Sequence, residues 1–221
     1  MSEFVEKIAA CIERGKVNKA APYPPDLRGQ DGADELAKIA LDQGQKPDSI
    51  LEGCVLGMQR IGEKFSQNKV FVPDLLMAAK AMNAAMSHLK PFFKSGEVKR
   101  RGKFVIGTVA GDLHDIGKNL VSMVVEGGGW EVIDLGVDVS TEKFLEAVSA
   151  HQGCTVGLSA LLTTTMVNME KTVKEIKAKY PSTRILVGGA PVTQTYSNKI
   201  GADGYSPDPQ GAVNLLNQVA A

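Results

Sequence analysis

The chain has 221 residues, of which 25 are basic and 25 acidic, so its formal net charge is zero. That balance argues against a nucleic-acid or membrane-surface binder, because such proteins rely on concentrated positive charge. Hydrophobic residues make up 43% of the chain, enough for a buried core, but no apolar run is long enough to span a membrane. The three cysteines, Cys11, Cys54 and Cys154, show no metal-site spacing, and the N-terminus lacks a signal-peptide pattern. A cytoplasmic location is therefore expected.

Residues 1–94 carry apolar side chains at helical spacing and are predicted to form one domain. A proline-rich stretch, 20–30, is predicted to be a loop, because proline lacks an amide donor and disfavours helix in the preceding residue. The predicted helices are 3–14, 31–42, 47–65 and 73–89. Four amphipathic helices with short connections predict a small antiparallel bundle.

A charged, apolar-poor stretch, 95–102, is predicted to link this bundle to a second domain, 103–221. Strands are predicted at 103–109, 131–135, 154–159, 184–188 and 203–205, and helices at 117–127, 141–151, 165–179, 191–199 and 209–219. This alternation implies a parallel sheet covered on both faces, and right-handed crossovers favour the strand order 2-1-3-4-5. The predicted fold class is α/β, with a four-helix bundle followed by a flavodoxin-like, Rossmann-type domain of five parallel strands.

Polar and glycine-rich segments follow four of the predicted strands. They are Gly111–Gly117, Ser159–Thr165, Gly188-Gly189 and the end of the last strand at Tyr205. Because the carboxyl ends of parallel strands lie at one edge of a sheet, these loops are expected to meet there. The pattern is neither a dinucleotide-binding glycine motif nor a P-loop. The sequence therefore predicts a ligand site of another kind at this edge.

Asp112 and His114 are the candidate chemical pair in the first loop. An imidazole can bind a metal through one nitrogen, and a carboxylate on the other N–H fixes the tautomer and raises the basicity of the ligand. Residues two apart at a strand end point to the same side, and a hydroxyl from Ser159 or Thr165 would extend the hydrogen-bond chain. The residues also suit ordinary roles, because a lone histidine is often structural and Asp112 or Asp115 can cap the next helix.

Three motifs together resemble the signature of cobalamin-binding proteins of the methionine-synthase and corrinoid-methyltransferase type. They are Asp112-x-His114-x-x-Gly117, Ser159-x-Leu161 and Gly188-Gly189. The bundle resembles the helical cap of that family in Leu56-Gly-Met-x-x-Ile-Gly-Glu-x-Phe65, Phe71-Val-Pro-x-Leu-Leu-x-Ala-Ala-x-Ala-Met82 and Leu89-x-Pro91. The resemblance extends over residues 33–219 and includes the corrinoid proteins of methylamine, methanol and O-demethylase systems.

The resemblance implies that cobalamin is the cofactor and that His114 is the lower ligand of its cobalt. His114, Asp112 and Thr165 would form a catalytic relay, with Thr165 standing where the compared family member has serine. Phe65 and Val72 would shield the upper face of the cofactor, and the family often has leucine at the second of these positions. The other implied cofactor contacts are Gly111, Asp115, Ile116, Gly117, Ser159, Leu161, Thr163, Gly188, Gly189 and Tyr205.

The same resemblance implies a corrinoid methyl carrier that completes no turnover on its own. Bound cobalamin, as Co(I), would accept a methyl group from a substrate-specific methyltransferase and pass it from methyl–Co(III) to a second one. The implied partners are a substrate:corrinoid methyltransferase, a corrinoid:thiol or corrinoid:tetrahydropterin methyltransferase, and a reductive activase. Neither a nucleic acid nor a membrane is expected as a partner. Linker 95–102 would be the hinge on which the cap moves aside.

Two other functions stay open from the sequence. A B12-dependent sensor or regulator also joins a helical bundle to this domain, although it would need an output module, and Trp130 lies in the α/β half rather than in the cap. The small subunit of an adenosylcobalamin mutase usually lacks a methyl-shielding cap. The methyl donor stays open among methylamines, methanol, betaines and aryl methyl ethers, because its pocket would belong to another protein.

Overall fold

The computed structural model describes residues 2–218, which form two compact units. The first unit contains the chain up to Arg100 together with Gly127–Gly129. The second contains Arg101–Glu126 and the chain from Trp130 onward. Within residues 2–218, none of the helices has both the length and the apolar character needed to cross a membrane.

The first unit is helical. Its helices are α1 Glu3–Glu13, α2 Ala33–Asp42, α3 Pro47–Ser66, α4 Val72–Ser87 and α5 Lys90–Ser95. The first four lie where the apolar spacing predicts them, whereas α5 is a short addition. Pro91 suits the start of α5, where no N–H is needed, and Gly96 ends it with a φ of 77°.

Helices α1 and α3 pack at close range through two glycines of α3. A Cβ on Gly57 would lie 2.7 Å from the carbonyl oxygen of Ala9, and one on Gly53 would lie 3.0 Å from that of Val5. On α1, Val5, Ile8 and Ile12 are buried. The absence of side chains on α3 therefore lets the two helix backbones approach each other.

The proline-rich segment 20–30 is held against the first unit and contains one short 3₁₀ turn, Pro25–Leu27. Arg14 binds Asp26 through two hydrogen bonds of 2.9 and 2.7 Å. The Tyr23 hydroxyl donates to Asp74 Oδ1 at 3.0 Å, near the start of α4. This loop is thus fastened at two points along its length.

The second unit contains one sheet of five strands. They are β1 Lys103–Thr108, β2 Glu131–Asp134, β3 Thr155–Ser159, β4 Arg184–Gly188 and β5 Gly204–Tyr205. The order is β2-β1-β3-β4-β5 and every pair is parallel, which confirms the predicted fold class and strand order. The helices are α6 Ile116–Gly127, α7 Thr141–Ala150, α8 Met166–Lys179, α9 Gln194–Ile200 and α10 Pro209–Asn217.

Several boundaries differ from the predictions for local reasons. Helix α9 begins three residues later, because the side chain of Thr193 caps it by accepting the N–H of Tyr196 at 3.2 Å. Val109 falls outside β1 and forms an isolated parallel bridge with Val139. The predicted helix 209–219 ends at residue 219, which lies outside the described range. Met1, Ala220 and Ala221 lie outside it too.

The predicted linker 95–102 is not uniformly exposed. Ser95 is the last residue of α5, and Val98 is buried. The N–H of Val98 donates to the carbonyl of Phe92 at 3.2 Å. Part of this stretch is therefore ordered against the first unit, and its use as a hinge stays a prediction.

The two faces of the sheet differ in character because side chains alternate along each strand. Val105, Val156, Leu158 and Ile185 belong to one buried apolar cluster. Thr108 alternates onto the opposite face, and it is aligned with Ser159, which in turn is aligned with Gly188. The carboxyl edge of the sheet, where β1, β3 and β4 end, therefore presents hydroxyls and a glycine on the second face.

Candidate functional site

The loops that follow β1 and β3 meet at the carboxyl edge through the carboxylate of Asp112. Asp112 is fully buried. Its Oδ2 accepts the N–H groups of Leu161 and Leu162 at 2.8 and 3.2 Å. Oδ2 also lies 2.8 Å from the hydroxyl of Thr165. One side chain from the first loop thus organises the backbone of the second.

The other carboxylate oxygen of Asp112 contacts His114 twice. Oδ1 lies 2.7 Å from His114 Nδ1 and accepts the His114 N–H at 3.1 Å. Burial opposes ionisation of Asp112, but the hydrogen bonds from His114, the Leu161 amide and the Thr165 hydroxyl outweigh it and hold the pKa of Asp112 well below its ordinary value. Asp112 is therefore a carboxylate at neutral pH and can only accept hydrogen bonds.

The imidazole of His114 is oriented for binding through its far nitrogen. Because an ionised Asp112 accepts the hydrogen bond, the proton of the neutral ring resides on Nδ1. Among residues 2–218, nothing hydrogen-bonds to Nε2, and the side chain is 50% exposed. The histidine thus presents a free nitrogen lone pair at the surface of the second unit.

Thr165 is the hydroxyl that the structure brings to Asp112, and Ser159 is not. Thr165 ends the 3₁₀ turn Thr163–Thr165 and is buried. Its hydroxyl also lies 2.9 Å from the carbonyl oxygen of Leu162, so its proton is shared between two acceptors. Thr165 is the residue before α8, and its side chain makes no capping hydrogen bond to that helix. Ser159 is half-buried at the end of β3.

The turn at Gly111 depends on Asp138, which sequence reasoning missed. Gly111 has a φ of 80°, a left-handed conformation that glycine adopts readily. Its N–H donates to Asp138 Oδ1 at 2.7 Å, and the N–H of Asp138 donates to the carbonyl of Asp112 at 3.0 Å. No signal near Gly111 in the sequence points to Asp138, because the two are brought together only by the β1–β2 pairing.

Asp115 has a local structural role, as one of the alternatives proposed. Its Oδ2 accepts from the side chain of Asn119 at 3.0 Å, and its carbonyl accepts the Asn119 N–H at 2.8 Å. Asp115 therefore supports the start of α6 rather than contacting His114. The buried Lys118 extends this group by donating to Asn119 and to Asp134 at the end of β2.

An apolar rim lies at the carboxyl edge of the second unit, in the loops after β1 and β3 and in the first turns of α6 and α8. It consists of exposed large side chains, namely Leu113, Ile116, Leu161, Leu162 and Val167. Leu113 and Ile116 are 71% and 74% exposed. A Cβ placed on Gly117 would meet no atom within 4 Å, so space is open beside Ile116. Exposed apolar surface and an unobstructed glycine therefore lie close to His114 in the chain.

The glycine pair at the end of β4 packs tightly against β3. Gly189 has a φ of 123°, and a Cβ there would lie 1.8 Å from the carbonyl oxygen of Ala160. A Cβ on Gly188 would lie 3.3 Å from the carbonyl oxygen of Ser206. Thr163 is exposed, whereas Tyr205 is half-buried and packs against the core cluster. Gly189 thus lets the chain after β4 lie close to the chain after β3, and Gly188 faces the segment after β5.

In the first unit, the two residues expected to cover the cofactor are half-buried. Phe65 lies in the last turn of α3 and Val72 in the first turn of α4. Phe71, which sequence reasoning did not assign, is 72% exposed beside Val72. These side chains are thus not wholly absorbed by the helical core, and their shielding role stays a prediction.

The donor set fits a metal that brings most of its own ligands. No group of three or more His, Cys, Asp or Glu side chains within residues 2–218 could hold a metal ion. A single imidazole backed by a carboxylate suits one axial position of a metal already held in a macrocycle. The apolar rim and the open space at Gly117 accommodate such a ring. The residues present therefore fit a corrinoid.

Comparison with known proteins decides the family. Two models, each described as a B12 binding domain, match residues 102–214 and 29–90. The chain is 40% identical to Trimethylamine corrinoid protein 1 of Methanosarcina acetivorans over 195 residues, which cover 86% of this chain and 88% of the relative. The chain belongs to the B12-binding corrinoid proteins. Its cofactor is accordingly cobalamin or a related corrinoid.

Other members of this corrinoid family give the same picture. A corrinoid protein of Desulfitobacterium hafniense is 37% identical over 191 residues, which cover 84% of this chain and 88% of the relative. The structure also resembles the crystal structure of the methanol:cobalamin methyltransferase complex MtaBC from Methanosarcina barkeri, with a TM-score of 0.81 and 26% identity. That match covers 99% of this chain and 80% of the other.

Proposed function

We propose that this protein is the methyl carrier of a corrinoid-dependent methyltransferase system. One observation carries the proposal. His114 Nδ1 is hydrogen-bonded to the buried Asp112 at 2.7 Å, while the His114 side chain is half-exposed. A bound corrinoid would supply a cobalt ion able to accept and release a methyl group. The chain's own residues would bind the corrinoid and control its lower axial position.

Each residue of the relay then has a distinct task. His114 offers Nε2 to the metal, and Asp112 holds the Nδ1 proton and with it the tautomer. Thr165 donates to the second carboxylate oxygen at 2.8 Å, which steadies Asp112 when the ring is drawn toward the ligand. Phe65 and Val72 would exclude water from the opposite face of the corrinoid. Movement of the helical unit would be needed to admit a partner.

The proposed partners are separate methyltransferases. Residues 29–90 and 102–214 both match B12 binding domain models, and a similar protein is solved in a methanol:cobalamin methyltransferase complex, which supports separate methyltransferases as partners. One is a substrate:corrinoid methyltransferase, the other a corrinoid:thiol or corrinoid:tetrahydropterin methyltransferase. A reductive activase would restore the reduced cofactor after oxidation.

A methylated amine is the methyl donor that we favour. The relatives at 38–41% identity include proteins named for trimethylamine and dimethylamine, whereas the similar methanol complex is 26% identical. We also place the carrier in the cytoplasm, because Cys11, Cys54 and Cys154 are all free, as suits a reducing compartment.

The first test is cofactor retention and ligation. Wild type and His114→Ala are incubated with hydroxocobalamin, desalted, and compared by visible spectroscopy. Wild type should retain one cobalamin per chain, and the variant should show an altered spectrum or lose the cofactor. His151→Ala is the matched control, since His151 lies after α7, away from the carboxyl edge, and should behave as wild type. Failure of wild type to retain cobalamin would overturn the proposal.

The second test addresses the methyl donor. The loaded, reduced carrier is combined with methyltransferases specific for trimethylamine, dimethylamine or methanol, and methylation of the cofactor is followed by its visible spectrum. Methylation should be fastest with one of the amine-specific enzymes. Methylation with the methanol enzyme alone would contradict the choice of donor while leaving the carrier role intact.

A further inference from the structure

Thr108, the last residue of β1, contacts the loop that contains His114. It lies outside the motif Asp112-x-His114-x-x-Gly117. Its hydroxyl donates to the carbonyl oxygen of His114 at 2.9 Å, and the residue is fully buried. The contact reaches the histidine at its backbone, whereas Asp112 acts on its N–H and its ring. Thr108 is therefore a separate support for the same residue.

Thr108 is a rigid anchor because both its N–H and its carbonyl are bonded to the segment that follows β2. Its N–H donates to the carbonyl of Gly136 at 3.0 Å, and its carbonyl accepts the N–H of Val139 at 2.9 Å. It is also paired in register with Ser159 of β3. A β-branched side chain is restricted at χ1, so the hydroxyl has little freedom to leave its position. The sheet thereby fixes where the hydroxyl points.

The carbonyl of His114 accepts no other hydrogen bond in the part of the chain that the structure describes. Helix α6 begins two residues later, at Ile116, and the Asn119 N–H at its start bonds to Asp115 instead. Without the Thr108 hydroxyl, this carbonyl would be released from the sheet. His114 would then be held by Asp112 alone, through its N–H and its ring, and its backbone would lose its bond to the sheet.

We infer that Thr108 is a positioning residue for the axial histidine and that its hydroxyl sets how strongly His114 binds the metal. The inference rests on the proposed function, in which His114 is the lower ligand of the corrinoid. Thr108 does not touch the cofactor in this scheme. Its influence passes through one hydrogen bond to the backbone of the ligand residue.

The test uses two variants that separate hydroxyl from shape. Thr108→Val replaces the hydroxyl by a methyl group of similar size, and Thr108→Ser keeps the hydroxyl but removes the methyl group. Each full-length protein is loaded with cobalamin and reduced to the Co(II) form. The nitrogen splitting of the EPR signal and the visible spectrum then give the ratio of histidine-bound to histidine-free cofactor.

We expect Thr108→Val to lower this ratio about tenfold, as is typical for loss of a group that orients a metal ligand, and Thr108→Ser to stay within about twofold of wild type. Ile106→Val is the packing control, because Ile106 is buried on the same strand and face and has no hydroxyl to donate. NMR of the proteins without cobalamin tests the position of His114 independently of cofactor binding. The His114 Nδ1–H signal should broaden in Thr108→Val and persist in Thr108→Ser.

The outcomes distinguish the two proposals. A Thr108→Val protein with wild-type ligation overturns the positioning role and leaves the proposed function standing. An equal loss in Thr108→Ser or in Ile106→Val also overturns it, because packing rather than the hydroxyl would then matter. Wild type that binds cobalamin without a histidine nitrogen on cobalt would instead overturn the assignment of His114. If Thr108→Val fails to fold, Thr108→Ala against Thr108→Ser makes the same comparison.

Discussion

Asp112 illustrates how much of the site depends on one side chain. Its carboxylate accepts hydrogen bonds from the second loop on one oxygen and from His114 on the other, while it is wholly buried. A buried carboxylate is costly unless it is paired, and here the bonds more than offset the cost, as the lowered pKa shows. The residue that orients the histidine is therefore also a structural link between β1 and β3.

The lowered pKa of Asp112 predicts a pH dependence of stability. The unfolded chain takes up a proton on this carboxyl at about pH 4, and the folded protein does so only at lower pH. The stability that Asp112 contributes is therefore present above about pH 4 and is lost as the pH falls toward the folded pKa. Urea unfolding of the unloaded protein measures this. As the pH is lowered below about 4, the free energy of unfolding should fall more steeply in wild type than in Asp112→Asn.

The control for this measurement is Asp48→Asn, an exposed residue in the first turn of α3. Its pH profile should match that of wild type. At neutral pH, Asp112→Asn should also be less stable by about 3 kcal/mol, because its amide places a donor toward groups that need an acceptor. Identical profiles for wild type and Asp112→Asn would show that the carboxylate is not the source of the acid sensitivity.

At the scale of elements, close approach between backbones shapes the first unit. Periodicity predicts α1 and α3 as separate amphipathic helices, but it does not reveal that α3 uses Gly53 and Gly57 to reach the backbone of α1. Glycine costs a helix about 1 kcal/mol relative to alanine, so its presence there has a packing reason. That reason is the carbonyl oxygen of Ala9, which a side chain on Gly57 would meet.

Gly57→Ala should destabilise the protein by about 2 kcal/mol although alanine favours helix, because the added Cβ would lie 2.7 Å from the Ala9 oxygen and 2.7 Å from the Cβ of Ile12. Urea unfolding followed by circular dichroism measures the change. Gln59→Ala, at an exposed position of the same helix, should change stability little. A stabilised Gly57→Ala protein would mean that the two helices are not in close contact in solution.

In the whole molecule, the two units carry different parts of the candidate site. The described residues of the second unit contain the histidine, the apolar rim and the glycine pair, whereas the first holds Phe65, Phe71 and Val72 at the end of α3 and the start of α4. Both units match B12 binding domain models. In the proposed carrier, the second unit would hold the metal ligand and the first would supply the residues that shield the cofactor.

Cofactor binding should stabilise the folded chain by mass action. At a free cobalamin concentration 100 times Kd, the gain is about 2.7 kcal/mol, and the midpoint of thermal unfolding rises accordingly. His114→Ala should show a smaller rise at the same cobalamin concentration, because one bond to the ligand is lost. The Gln59→Ala protein should match wild type. Equal rises in wild type and His114→Ala would argue that the histidine contributes nothing to binding.

Much of the fold was predictable because it depends on local periodicity. Alternating strands and helices, together with the handedness of crossovers, were sufficient for the order β2-β1-β3-β4-β5. The residues Asp112 and His114 were also identifiable from the motif, but they lie in the loop after β1 rather than at the strand end, and Asp112 Oδ1 joins them by bonding both the N–H and the ring of His114. Element ends were less predictable, as at α9, where the cap on Thr193 rather than the apolar pattern decides the first residue.

The sequence by itself determined the fold class, the family and the pair at the centre of the site, because each is encoded in residues close together in the chain or in motifs of fixed order. Only the tertiary structure decided which groups support that pair. Thr165 rather than Ser159 reaches Asp112, Asp138 holds Gly111, and Thr108 holds the His114 carbonyl. These choices depend on strand register and on loop conformation, where a displacement of about 1 Å makes or breaks a hydrogen bond.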